Sequence, residues 1–276
     1  MGGLVWLASY PKSGNTWTRH FLHSLIQGGD KPHDINRMNL LTTGDSAKTW
    51  YEPLLGKKIS EADETEIAAV RPQAVRAIAA AADGLVFVKT HNAMVQHNGT
   101  PMIEPSVTAG AIYIVRNPLD VAISYSHFMA ASIDHAIAAM NADGATTPGS
   151  EKQVYQYFGS WTENVFSWTR RPIRQLHVMR YEDMLHQPLA TFGKLAEFLR
   201  LTPTRRELTA AIDASSFEKL KAQEEEEGFR EKPEKAEKFF REGRAEQWRE
   251  VLTPAQVDAV VAGCREQMER FGYMPK

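Results

Sequence analysis

The chain has 276 residues, of which 43% are hydrophobic and 24% charged, an ordinary globular composition long enough to bury one sizeable core, so a single domain over residues 1–276 is expected. A formal net charge of −2 excludes a general nucleic-acid binder, which needs a basic surface. One cysteine, Cys264, excludes an intrachain disulfide and fits a reducing compartment.

Taken in chain order, the first element is an apolar run from Leu4 to Ala8, the pattern of a buried strand. A polar turn from Ser9 to Asn15 follows, carrying Pro11, Lys12, Ser13 and Gly14. A helix is then expected, because Trp17, Phe21 and Leu25 recur on one face at four-residue steps, and Gly28 and Gly29 end it. Strand, small-residue turn and helix leave backbone N–H groups aimed at an anion. Gly14 lets the backbone approach closely, Thr16 offers a hydroxyl and Lys12 a mobile cation. Such a loop is a phosphate or sulfate cradle, or an ordinary strand-to-helix turn. It is not a Walker A loop, since Lys12 precedes Gly14 and no glycine opens the turn.

From Asp30 to Gly56 the chain is polar and reads as a long loop with short helices. Glu64 to Ala82 is Ala-rich and helical. Leu85 to Val88 reads as a second strand, with Lys89, Thr90 and His91 at its C-terminal end. Ala111 to Val115 is a third, ending in Arg116, and Pro118 opens a helix. Asn141 to Ser150 reads as a loop, Glu151 to Arg171 as one long aromatic-rich helix, and Gln175 to Met179 as a fourth strand. Helices are expected from Leu189 to Leu201, from Thr204 to Ala211, and from Thr253-Pro254 onward. The acids Glu224 to Glu227 read as a solvated face.

Strands alternating with helices imply an α/β fold with a central, mainly parallel sheet flanked by helices. Ligands of such sheets lie beyond the C-terminal strand ends. Lys12, His91 and Arg116 all follow strand ends and are expected to converge on one crevice. A neutral imidazole there can take a proton from a hydroxyl, and the Arg116 fork suits a phosphate. His20 and His23 share a helix face without an accompanying ligand pattern and read as an exposed pair, so no metal site is expected.

The stretch PKSGNTW, Pro11 to Trp17, resembles the 5′-phosphosulfate loop of the sulfotransferases that use 3′-phosphoadenosine 5′-phosphosulfate (PAPS). KTH, Lys89 to His91, resembles the catalytic strand end of that family, and IYIVRNPLDVAISYSHF, Ile112 to Phe128, its 3′-phosphate segment. MRYEDM around Tyr181, SSFEKLK with Ser215 and Phe217, and FFREGRAEQWRE with Arg241 and Gly243 resemble its remaining nucleotide segments. In the last of these Glu242 replaces a cation that normally approaches a phosphate. The resemblance implies a P-loop-NTPase-like sulfotransferase fold. It implies that Lys12, Ser13, Gly14, Asn15, Thr16 and Trp17 hold the 5′ end, and that Arg116 and Ser124 take the 3′-phosphate. Tyr181, Ser215, Phe217, Arg241 and Gly243 complete the nucleotide site. His91 is implied as general base, with Lys12 and Lys89 on the leaving oxygen and the sulfuryl group.

The expected reaction moves a sulfuryl group from PAPS to a hydroxyl of a small acceptor, releasing adenosine 3′,5′-bisphosphate (PAP), without a metal. A cytoplasmic protein with no membrane span and no nucleic-acid partner is expected. The acceptor pocket would draw on Trp50, Tyr51, Met94, Phe128, Met129, Tyr155, Tyr157 and Trp161, any of which could equally be core; the acceptor and the oligomeric state are not legible. The alternatives are a P-loop-type kinase, which would need a metal, and a nucleotide-binding sensor without turnover.

Overall fold

The computed structural model describes residues 3–28, 34–170, 175–232 and 235–276. Gly29 and Arg171, named above as helix ends, lie outside the described residues. The central sheet has five parallel strands: β1 (Gly3–Ser9), β2 (Thr42–Gly44), β3 (Leu85–Thr90), β4 (Thr108–Val115) and β5 (Leu176–Arg180). Their order is β2-β3-β1-β4-β5. In register, Leu4 faces Val86 of β3, and Trp6 faces Ala111 of β4. Both faces of the central strand β1 are buried under helices, so its apolar run is continuous where a half-exposed strand would alternate.

Alternate residues of β1 enter two cores. Leu4, Trp6 and Ala8 join one cluster, against α3 (Glu64–Ala80), α4 (Pro118–Met129), α5 (Ile133–Met140), α6 (Trp161–Thr169) and α12 (Pro254–Phe271). Val5 and Leu7 join the other, with Phe21 and Leu22 of α1 (Asn15–Gln27), Phe192 and Leu195 of α8 (Pro188–Phe198) and Ala211 of α9 (Arg205–Ala214). Helices thus cover both faces, and each fully buried large apolar side chain contributes roughly 1.5–3 kcal/mol. The one polar atom of Trp6 is satisfied, since its Nε1 donates to Thr108 Oγ1 at 2.9 Å.

Several expectations change. Among the described residues between Asp30 and Gly56, α2 (Lys48–Leu55) is one of the short helices expected there, whereas the edge strand β2 is unexpected. The long helix from Glu151 is confined to α6. Before it, Gln156–Tyr157 pairs antiparallel with Thr146–Thr147, and Gly159 takes a left-handed φ of 64°. Ser160 then caps α6 in a box with Glu163, which fixes where that helix begins. His20 and His23 are buried in α1, each 2% exposed. Glu224, on α10 (Phe217–Glu227), is also buried, and its carboxylate accepts from the backbone N–H groups of Phe239 and Phe240, both at 2.8 Å.

Candidate active site

The loop between β1 and α1 is built to leave donors open. Gly14 stands at the start of α1 with φ 106°, and no side chain caps the helix there. A Cβ on Gly14 would lie 2.8 Å from Tyr181 Cδ2, so both the conformation and the space require glycine. Lys12 takes a left-handed φ of 66°, an unusual backbone for a side-chain-bearing residue. Asn15 ties the loop down by donating from Nδ2 to the Leu7 carbonyl at 2.8 Å. Ser13 Oγ and Trp17 Nε1 are buried without a partner among the described residues. Buried polar groups are normally satisfied, so these orphans at an open helix start fit an anionic ligand. Lys12 lies beneath two rings, its Nζ 3.9 Å from the Phe239 centroid and 5.0 Å from that of Phe128. Burial, then the charges of Arg116 and Lys89, lower its pKa to about 7.

The second end lies past β4 and β5. The Arg116 guanidinium lies 4.2 Å over the Tyr181 ring, and donates to the carbonyls of Lys12 at 3.1 Å and Arg244 at 3.2 Å. Its Nε is buried and unpartnered among the described residues. Trp17 meets Tyr181 edge-on at 5.7 Å. Asn117 caps α4, and Asp120 in its first turn accepts from the backbone N–H of Glu246 at 2.7 Å and Trp248 at 3.1 Å. Asp120 thereby ties the C-terminal loop to α4, and burial raises its pKa. Gly243, at φ 65°, is pressed against Phe217, whose Cγ would be 2.3 Å from a Cβ at that position. Arg241 pairs with Glu242 at 3.0 Å, and Glu242 also holds Arg244 at 3.1 Å. Ser124 is half-buried on α4 and Thr16 is buried in the first turn of α1. The Ser215 hydroxyl is turned away, donating to the Ala211 carbonyl at 2.9 Å.

His91 follows β3. Its Nδ1 lies 2.8 Å from the Ser9 carbonyl oxygen, which can only accept. Nδ1 therefore carries the proton in the neutral ring, and Nε2 is left as the acceptor. Burial, then the Lys89 charge, lower the His91 pKa to about 3. The strand end is held by buried partners. Asn164 Nδ2 donates to the His91 carbonyl at 3.0 Å, while Thr90 and Asn92 both donate to Asp45 Oδ2 at 2.8 Å. Phe158 meets the imidazole edge-on at 6.0 Å and packs on Tyr10 at 6.4 Å. Lys89 donates to Glu231 Oε2 at 3.0 Å.

The structure brings Lys12, Ser13, Gly14, Asn15, Trp17, Arg116 and Tyr181 into one array. Lys89 stands near the end of β3, beside β1, and His91 follows that strand, while Phe217 and Gly243 form a pair linked to the array by the Arg116 bond to Arg244. Among the expected pocket residues, Tyr51, Tyr155 and Trp161 are core, at 0%, 2% and 0% exposed. Tyr51 is spent on the Asp45 carbonyl at 2.9 Å. Sequence reasoning missed Asp45, Asn164, Asp120, Arg19, Phe158 and Glu231. The only local signal among them is Asp120, in the first turn after Asn117-Pro118. No group of three or more His, Cys, Asp or Glu gathers as a metal site among the described residues, and no helix there is long and apolar enough to cross a membrane.

Over residues 3–272 the chain matches the family described as sulfotransferase domain. It is 24% identical to flavonol 3-sulfotransferase of Flaveria bidentis, across 99% of this chain and 84% of that protein. It is 25% identical to sulfotransferase 2A2 of Mus musculus, across 96% and 84%. The fold is similar to that of mouse sulfotransferase SULT7A1 complexed with PAP, with a TM-score of 0.64 at 19% identity over 96% of this chain and 84% of that one. It is also similar to retinol dehydratase in complex with androsterone and inactive cofactor PAP, with a TM-score of 0.65 at 18% identity over 96% and 80%.

Proposed function

The chain belongs to the sulfotransferase domain family, and on that premise we propose that it transfers the sulfuryl group of PAPS to a hydroxyl of a small alcohol or phenol. The observation that carries this reading is the 2.8 Å contact of His91 Nδ1 with the Ser9 carbonyl oxygen, which leaves Nε2 as the basic atom. His91 Nε2 takes the proton of the acceptor hydroxyl as its oxygen attacks sulfur. The bond from sulfur to the bridging oxygen breaks in line, and its electron pair leaves with PAP. Lys12 neutralises that oxygen, as cations do in phosphoryl transfer. The open N–H groups of α1 and the Ser13 hydroxyl hold the 5′-phosphate, and Arg116, with Ser124, takes the 3′-phosphate. The nucleotide lies along Trp17, Tyr181 and Phe217, with Arg241 and Gly243 at its far end. The orphaned Ser13 Oγ, Trp17 Nε1 and Arg116 Nε support a bound nucleotide with two separated anionic ends. Phe128 beside Lys12 and Phe158 beside His91 support an acceptor with an apolar body.

The test is incubation with PAPS and pooled alcohols, phenols, sterols and sugars, read by mass. A sulfated product with matching PAP release is expected. Binding of PAP without transfer to any pool would favour a nucleotide sensor.

A further inference from the structure

Glu231 and Arg19 lie 212 residues apart and meet beside Lys89. The Arg19 side chain is 4% exposed, and every nitrogen of its fork is used. Nε donates to Thr42 Oγ1 on β2 at 2.9 Å, and the two terminal nitrogens meet both Glu231 oxygens at 2.9 Å. Thr42 in turn donates to the Met38 carbonyl at 3.1 Å, so the guanidinium is fixed from behind. The residues just before Glu231 are held as well: Asn36 donates from Nδ2 to the Gly228 carbonyl at 3.0 Å and accepts from Arg230 N at 2.8 Å. Onto this fixed carboxylate Lys89 donates one proton, at 3.0 Å.

We infer that Glu231, anchored by Arg19, is a positioning residue that holds the Lys89 ammonium against the transferring sulfuryl group. The inference rests on the reading above that Lys89 touches that group. An ammonium has three donors; one is spent on Glu231 and two stay free for sulfuryl oxygens. A lysine side chain otherwise loses much rotamer freedom when it is fixed on a ligand, and the tether removes that loss beforehand. Two cations and one carboxylate leave the cluster with net positive charge, so it still attracts an anion. A displaceable plug is disfavoured, because withdrawing Glu231 would strand the buried Arg19 fork without partners. Lys89 stands in β3 two residues before His91, which puts the cluster at the same strand end as the proposed base.

Calorimetry with PAP and with PAPS, without acceptor, separates the roles, because the two ligands differ by the sulfuryl group alone. Lys89→Ala measures how much of the preference for PAPS depends on Lys89. Glu231→Gln is expected to lose most of that preference, at least about fivefold, with PAP affinity within about twofold of wild type. The double variant Arg19→Met/Glu231→Gln, which leaves no buried charge unpaired, should show the same loss if the single variant folds poorly. Unchanged or tighter PAPS binding in the Glu231 variants would overturn the inference, as would PAP and PAPS weakening together, which would mean that Glu231 only anchors its own segment. A wild-type chain that binds neither nucleotide would overturn the sulfotransferase reading itself, and this inference with it.

Discussion

The Nδ1 of His91 lies 2.8 Å from the carbonyl oxygen of Ser9, the last residue of β1 before the Lys12 loop. One backbone atom thus sets the tautomer of the proposed base and ties the β3 end to the anion loop. His91→Ala should lower turnover by about a hundredfold to ten-thousandfold, the usual range for loss of a general base, while PAP affinity stays near wild type. The His91 pKa is lowered to about 3, so the ring is already neutral at pH 5. A pH profile of kcat/KM for PAPS, which reports the ligand-free chain, should therefore show no His91 bend between pH 5 and 8. Near-normal turnover in a folded His91→Ala would remove histidine from the mechanism.

Lys12 gives a pH dependence of the opposite kind. Its pKa of about 7 in the ligand-free chain lies below the ordinary 10.5, through burial first and then Arg116 and Lys89. A bound phosphosulfate or phosphate restores the preference for the charged form. Above pH 7, binding must therefore take up a proton, and PAP affinity should fall by up to about tenfold per pH unit. Calorimetry at pH 8 in buffers of different ionisation enthalpy should show this uptake, and Lys12→Met should abolish it. For the ligand-free fold, the lowered pKa means that the unfolded chain binds more protons between pH 7 and 10.5, so stability rises with pH there. Lys12→Met should accordingly raise the ligand-free melting temperature at pH 7. An unchanged melting temperature would contradict the burial of this charge.

Much of the candidate site's geometry was legible because it is local in sequence. The run from Leu4 to Gly14, the KTH strand end and the Arg116-Asn117-Pro118 junction each carry strand, turn and cap signals within a few residues. What was missed is long-range. Arg19 and Glu231 show no mutual pattern in the chain, and Glu224 hides within an acidic run whose other members are exposed. β2 is three residues long, too short to show periodicity. The segment before α6 carries aromatics at helix-like spacing, yet Gly159 at φ 64° and the Ser160–Glu163 box start the helix later. His20 and His23 look polar in sequence, but α1 is enclosed on nearly all sides by the sheet and α9.

The chemistry of the donor decides a metal test. If Lys12 and Lys89 neutralise the leaving group, transfer should persist in excess EDTA within about twofold. Loss of activity that Mg²⁺ restores would instead favour a kinase-like mechanism, in which the metal bridges phosphates.

The sharpest test concerns the far end of the nucleotide. Arg116 follows a different strand from the Lys12 loop, and its buried Nε lacks a partner among the described residues. It makes sense as a ligand for a second phosphate remote from the first. A charge-assisted hydrogen bond contributes roughly 1.5–3 kcal/mol, so PAP should bind at least about tenfold more tightly than AMP. Arg116→Met keeps an apolar stem over Tyr181 but removes the fork. It should erase most of that difference and leave AMP affinity nearly unchanged. Glu242 acts in the other direction: it holds Arg241 at 3.0 Å and Arg244 at 3.1 Å, and so spends charge that would otherwise face the 3′-phosphate. Glu242→Gln removes that acid and keeps side-chain size, while Arg244 still pairs with Glu250 at 2.8 Å and Arg241 still donates to Gln247; it should tighten PAP while AMP is unaffected. Calorimetry with both nucleotides on wild type and the two variants decides the matter. Equal affinity of wild type for AMP and PAP would mean that no second phosphate site exists, and the role of Arg116 would fall with it.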